Sequence, residues 1–217
     1  MNVEQARFNM IEQQIRPWDV LDTSVLALLS VVRRENFVPA AHRSLAFMDI
    51  EIPLPGGQNM LAPRVEARMV QDLNLSKRDR VLLIGAGSGY MAALIAHKAQ
   101  RVIAMENRPE LVEFARTNLR NNQVHNAEVA LGEGSEGLPA QGPFDAIVLT
   151  GSVTAVPQTL FDQVKAGGRL LAIVGREPVM QATLFTKAAD GSLTSRRLFD
   201  TVATPLDRMA AEAGFTF

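Results

Sequence analysis

The sequence contains no cysteine among its 217 residues. That excludes disulfides, thiol nucleophiles, iron–sulfur clusters and Cys-ligated zinc, and it fits a reducing compartment. Histidine is scarce: His42, His97 and His125 are scattered along the chain. No spacing suggests a metal site, so none is expected. His97 falls on a helical pattern and reads as a surface or core residue. Long apolar runs are missing too. The longest, Val25 to Val32, is broken by Ser30, whereas a membrane span needs about 20 apolar residues. The N-terminus carries Glu4 and Glu12 and shows no apolar block before a small-residue cleavage site, so no signal peptide is read there. Charge of one sign is also absent. The 22 basic and 23 acidic residues leave a formal net charge of -1, which implies neither bulk nucleic acid nor an anionic membrane as partner. The expectation is a cytoplasmic monomer.

Two catalytic templates fail. A Gly-x-Ser-x-Gly elbow is lacking, since Ser88 has Ala86 two residues before it. No Gly-x-x-x-x-Gly-Lys-[Ser/Thr] loop exists either. What remains is an ordinary globular chain. Hydrophobic residues at 47% and charged residues at 21% exclude disorder and collagen-like structure.

Two regimes appear along the chain. Residues 1–78 read as helices with an irregular loop. Phe8, Ile11 and Ile15 share a helical face within 2–15, and Pro17 ends that helix. Asp22 is the expected N-cap of a second helix running to Val32, with Arg33 and Arg34 as a solvated helix end. The segment Ile52 to Pro63 holds three prolines and two glycines, Pro53, Pro55, Gly56, Gly57 and Pro63, and is expected to form no regular element. A helix follows over 63–73, with proline in its first turn.

Residues 79–217 alternate short apolar runs with helical patterns, the signature of a parallel sheet with crossover helices. Strands are expected at 81–84, 101–105, 128–131, 145–149 and 169–174. Helices are expected over 90–98, over 109–121 and shortly after Pro157. Asp190-Gly191 joins two further strand-like runs, 181–188 and 193–202, as a hairpin. The expected architecture is a doubly wound α/β sheet, mostly parallel, with a C-terminal antiparallel hairpin and an N-terminal helical extension.

Gly85-Ala86-Gly87-Ser88-Gly89-Tyr90 follows the first apolar run directly. Glycines permit a tight turn and close ligand approach, and a helix N-terminus favours electron-rich groups. The dinucleotide fingerprint needs glycine where Tyr90 stands. The spacing is instead that of sheets holding S-adenosylmethionine. Ligands of open α/β sheets sit at the carboxyl ends of the strands, where Gly85, Glu106, Glu133 and Thr150-Gly151-Ser152 recur. Glu106 has oxygens for a ribose diol, and Glu133 can accept from an adenine amine.

These segments resemble the protein-L-isoaspartate O-methyltransferase family of S-adenosylmethionine-dependent methyltransferases. The likeness runs through 10–15, Arg33-Arg34-Glu35-Asn36-Phe37-Val38-Pro39, Leu54-Pro55-Gly56-Gly57-Gln58, 84–90, 143–148 and 167–170. The Arg-Glu-x-Phe-Val-Pro run is the most family-specific. The resemblance implies a Rossmann-like methyltransferase fold with S-adenosylmethionine as donor. It implies methylation of isoaspartyl carboxylates in damaged peptides and proteins, a repair reaction that proceeds through a succinimide. The implied donor set is Gly85, Ala86, Gly87, Gly89, Tyr90, Glu106, Asn107, Glu133 and Gly134.

Two positions depart from the family pattern. Its acceptor loop usually reads Gln-Thr-Ile-Ser-x-Pro; here it is Gln58-Asn59-Met60-Leu61-Ala62-Pro63, with Leu61 at the serine position. An acidic residue usually stands two places before the first glycine, where this chain has Leu83. Asn59 and Arg64 are the candidates for the missing acceptor contact, Arg64 because it can grip a carboxylate bidentately. Three readings stay open: an isoaspartyl methyltransferase, a methyltransferase with another acceptor, and a non-catalytic domain that binds the donor or a damaged protein.

Overall fold

A computed structural model describes residues 2–209. The N-terminal part opens with helix α1, Val3–Asn9, capped by the Asn2 side chain, which accepts from the Gln5 N–H. The helix widens into a π-helical turn over Met10–Ile15 and a short tight turn over Arg16–Trp18. Helix α2, Thr23–Val31, starts at Asp22, whose carboxylate accepts from the Ser24 N–H at 2.8 Å. The Pro/Gly-rich segment is more regular than the sequence suggests. Two short strands, β1 (Ile52–Pro53) and β2 (Asn59–Met60), pair antiparallel. Gly56 and Gly57, both at positive φ, close the loop between them. Helix α3 then runs over Pro63–Leu73, with Pro63 in the first turn.

The main sheet has seven strands. They are β3 (Arg80–Ile84), β4 (Arg101–Glu106), β5 (Ala127–Leu131), β6 (Phe144–Val153), β7 (Val164–Arg176), β8 (Val179–Lys187) and β9 (Leu193–Asp200). Helices α4 (Tyr90–Ala96), α5 (Pro109–Asn121) and α6 (Gln158–Asp162) connect them. The spatial order is β5-β4-β3-β6-β7-β8-β9. Pairing is parallel from β5 to β7 and antiparallel at β7–β8 and β8–β9. The order reverses at β3, so the clefts beside its carboxyl end are the topological switch point.

Side chains of the central strands divide between two cores, as the two-residue period of a strand requires. Val81, Leu83, Val102, Ala104, Ala146 and Val148 join the helices α3, α4 and α5 and the N-terminal segments. Leu82, Ile84, Ile103, Met105, Ile147 and Leu149 pack on the opposite face with Leu160 of α6. The first core extends from Met10 to Ala203, so the N-terminal helices close over the same sheet face as the crossover helices.

Two strands outrun their apolar patterns. β6 continues past Leu149 through a register shift between Val148 and Ser152. Ser152 donates its N–H to Thr204 O and its hydroxyl to Ala203 O. β7 begins at Val164 opposite Phe144 and gains its far end by pairing with β8. Long-range partners decide both lengths. No helix of the described residues is long and apolar enough to cross a membrane.

Candidate active site

A single cleft lies at the carboxyl ends of β3, β4 and β6. It opens to solvent. Three groups of residues line it. Ile84 to Ser88, with Met105, Glu106 and Asn107, form the floor; Gly132, Gly134 and Thr150 form one side; Gln58 to Leu61, with Glu66, form the other. Leu206, Asp207 and Met209 complete the wall.

The glycine loop is held from below. Gly85 and Ala86 donate their N–H groups to Met105 O at 2.9 and 3.0 Å. The Thr150 hydroxyl donates to Ile84 O at 3.1 Å and also bonds Gly85 O. Gly85 sits at φ +89°, and a Cβ there would lie 2.7 Å from both Thr150 Oγ1 and Leu206 Cδ2. Only glycine fits that turn.

Glu106 ties two loops together. One carboxylate oxygen accepts from the Gly87 N–H at 3.0 Å. The other accepts from the Asn107 and Arg108 N–H groups at 3.0 and 3.2 Å. The side chain is buried. Burial raises its pKa, and the three backbone donors with nearby Arg108 oppose that rise. Thus Glu106 first of all shapes the cleft floor, and its oxygens stand on the cleft lining.

The 58–61 loop is tied to the last part of the described chain. Asn59 lines the cleft, but its side-chain amide donates to Thr204 Oγ1 at 2.7 Å. The Thr204 hydroxyl donates to Glu51 at 2.9 Å. The Gln58 amide donates to Asp207 at 3.1 Å, and Arg108 pairs with the same carboxylate. Asp207 therefore joins the 58–61 loop to the turn after β4. Leu61 is 4% exposed and lines the cleft as an apolar wall.

Of the residues singled out from sequence, the structure gathers Asn59, Leu61, Gly85, Ala86, Gly87, Glu106, Asn107 and Gly134 around this cleft. Five others stand elsewhere. Arg64 pairs with Asp49 and stacks 4.3 Å from the Trp18 ring centre; a helix turn carries it away from Leu61. Tyr90 is fully buried behind the loop, with its ring 5.4 Å from Phe37. Gly89 caps α4 at φ +84°, and a Cβ there would come within 3.1 Å of Ala115 O, so this glycine serves the close approach of α4 to α5. Glu133 turns outward and bonds Arg208 at 2.6 Å, although its neighbours Gly132 and Gly134 line the cleft. Leu83 is wholly buried in the sheet core, so no side chain from that position reaches the cleft.

The largest departure concerns Arg34. Expected as a solvated residue, it has no exposed surface. Its guanidinium donates to Leu61 O at 2.7 Å, pairs with Glu66, and lies 5.3 Å from the Tyr90 ring centre. The adjoining pair of Arg7 and Glu35 is buried as well. Glu66, on the first turns of α3, is 3% exposed and lines the cleft beside Leu61. Burial pushes its pKa up to about 7, with Arg34 holding it down and Glu51 adding to the rise. Nothing in the local sequence marks Glu66, because one acidic residue on an amphipathic helix reads as solvated. The signal that exists is only the long-range pairing itself.

Similarity searches agree with this geometry. The family model for protein-L-isoaspartate(D-aspartate) O-methyltransferase matches residues 5–210. A protein-L-isoaspartate O-methyltransferase of Methanoculleus marisnigri is 41% identical over 171 residues, covering 79% of this chain and 78% of its own. One from Koribacter versatilis is 36% identical over 200 residues, covering 92% and 90%. A solved protein-L-isoaspartate O-methyltransferase structure superposes with a TM-score of 0.80 at 26% identity, covering 94% of this chain and 67% of that one. A Plasmodium falciparum structure described as the same kind of enzyme, in complex with S-adenosyl-L-homocysteine, shares the fold with a TM-score of 0.79 at 21% identity, covering 96% and 99%.

Proposed function

The chain belongs to the protein-L-isoaspartate(D-aspartate) O-methyltransferase family, and from that premise we propose that it methylates the free carboxylate of isoaspartyl residues in damaged peptides and proteins. One observation supports this most: the glycine loop and the 58–61 loop line a single cleft. A methyl donor and a peptide carboxylate can therefore meet there without a domain movement.

The residues present fit S-adenosylmethionine. Gly85 and Gly87 bare their backbone at positive φ, and Gly132 and Gly134 leave the opposite rim without side chains. Ile84 and Met105 offer apolar surface between them, and Glu106 and Asn107 bring oxygen atoms suited to a ribose diol. When bound, S-adenosylmethionine supplies an electrophilic methyl group on its sulfonium. An isoaspartyl carboxylate, with a reference pKa of about 4, is already ionised at neutral pH and needs no general base. The protein's task is then positioning and exclusion of water. Gln58, Asn59, Leu61 and Glu66 form the wall against which the acceptor is placed. Its substrates are isoaspartyl-containing peptides and proteins of the cytoplasm, handled by a single chain.

The test compares a synthetic isoaspartyl peptide with its α-aspartyl twin at saturating S-adenosylmethionine. Formation of S-adenosylhomocysteine and peptide methyl ester is expected with the isoaspartyl form only. Donor turnover no greater than in a peptide-free control would reject the reading.

A further inference from the structure

Leu61 brings no hydrogen-bonding side chain to the cleft, yet a peptide carboxylate placed there must leave water. Burying an anion without a partner costs several kcal/mol. Among the described residues that line the cleft there is no Lys, Arg or His. Arg34 is nearby, but its guanidinium is committed to Leu61 O and Glu66 behind the loop. Its remaining nitrogen, Nε, is buried without a partner. One other titratable side chain stands beside Leu61 on the cleft lining, and that is Glu66.

Among the described residues, only one oxygen of Glu66 is taken: Oε2 accepts from Arg34, and the other oxygen has no hydrogen bond from them. That oxygen is nevertheless not sealed off: the side chain keeps 4% of its surface, and Glu66 is part of the cleft lining. A carboxyl group in this position has two chemically distinct ends. Arg34 grips one, and the other is available to a ligand.

We infer that Glu66 binds the acceptor carboxylate as a carboxylic acid, donating from its free oxygen the hydrogen bond that Leu61 cannot make. This inference rests on the isoaspartyl reading above. Two carboxyl groups sharing one desolvated site cannot both be ionised, and a single shared proton relieves the repulsion. The proton belongs to Glu66 and stays there. The acceptor keeps its negative charge on the oxygen that reacts, so no base is consumed and no proton is lost in the transfer.

The surroundings favour the acid form. Arg34 is the one cation that holds Glu66 ionised. Glu51 opposes it from the segment before β1, Tyr90 packs from α4 with its hydroxyl lacking any partner, and the Arg7–Glu35 pair closes the cluster from the N-terminal segments. Burial places the pKa of Glu66 at about 7 before any acceptor arrives, and an incoming carboxylate raises it further.

The experiment follows kcat/KM for an isoaspartyl peptide from pH 6 to pH 8 at saturating donor. kcat/KM reports groups of the free enzyme. With a pKa of about 7, the acid form falls roughly tenfold over this range, and kcat/KM should fall with it. Glu66→Gln keeps an oxygen for Arg34 and puts a permanent N–H donor at the free end, so its profile should be flat. Glu66→Val, which donates nothing, should be slow at every pH. Peptide binding at pH 8, measured by calorimetry in buffers of different ionisation enthalpy, should take up nearly one proton in the wild type. That measurement decides the matter even where a variant fails to fold.

Identical profiles for wild type and Glu66→Gln, or no proton uptake, would overturn the inference and leave isoaspartyl methylation standing. A rate that rises with pH and vanishes in Glu66→Gln would also overturn it, since Glu66 would then be a base. No methylation of the peptide by the wild type at any pH would overturn the substrate reading, and this inference with it.

Discussion

Replacement of Glu106 by alanine should cripple donor binding while leaving the sheet intact. The carboxylate holds three backbone N–H groups at 3.0, 3.0 and 3.2 Å, one from the glycine loop and two from the turn after β4. A hydrogen bond to a charged group contributes about 1.5–3 kcal/mol. Removing the side chain frees all three donors, but the cleft is open, so water can satisfy most of them. The net cost is then about one such bond, which falls on the closeness and order of the two loops. Spread of the loops, together with loss of an acceptor at the cleft floor, should weaken S-adenosylhomocysteine by roughly 10- to 150-fold. Titration calorimetry on wild type and Glu106→Ala reads this directly. Glu106→Gln should fall between them, because its amide has one accepting oxygen for two groups of donors and turns an NH2 toward the others. Affinity within twofold of wild type in Glu106→Ala, with an unchanged melting temperature, would refute the assignment of this carboxylate to the donor site.

Arg34→Met removes the cation beside Glu66 and the bond to Leu61 O; urea denaturation at pH 8, where Glu66 is ionised in the wild type, should show a loss of about 3–5 kcal/mol, and a loss below 1 kcal/mol would mean that the pair is not buried as described. Leu61→Ser restores a hydroxyl beside the cleft and should raise isoaspartyl turnover about tenfold, equivalent to about 1.4 kcal/mol. The same change should lower stability by about 2 kcal/mol through lost burial. Unchanged or reduced turnover at saturating donor would refute the acceptor-wall role of Leu61. The raised pKa of Glu66 has a consequence for stability as well. Its folded-state pKa lies above that of an unfolded carboxyl, so the folded state binds the proton more tightly. Its favourable contribution is complete below about pH 4.5 and disappears as pH rises through about 7. The stability of wild type relative to Glu66→Gln should therefore fall between pH 4.5 and pH 7; a difference constant over that interval contradicts the burial described.

Much of the architecture was legible before any coordinates. Alternation of apolar runs with helical patterns placed β3, β4 and β5 to within one residue and marked the middle of β6 and β7, though not their full length. Prolines 63 and 109 opened helices where proline is tolerated. Asp190-Gly191 turned between β8 and β9. The cleft was legible in part, because Gly85, Gly87 and Glu106 sit at strand ends whose location follows from the sheet alone. The polar partners of that cleft were not. Arg64 looked like a carboxylate ligand from its place near Leu61, yet in the first turn of α3 it faces Asp49 and Trp18 instead. Glu133 sat at a suitable strand end, yet its side chain faces solvent and Arg208.

What the sequence determined by itself is everything governed by local sterics and periodicity: the positive-φ turn at Gly85, the caps, the two-faced strands, and the position of the switch point. Tertiary structure alone decided which charges meet. Arg34 and Glu66 are 32 residues apart, and Asp207 meets Arg108 across 99. Neither pairing leaves a trace in a local window, because a lone acidic or basic residue is as compatible with water as with a buried partner. Only the closing of α3 over the 34–36 turn removes that water, and it does so where Glu66 reaches the cleft. A helical position that reads as solvent-facing thereby becomes a carboxyl group with one end held and the other turned to the site.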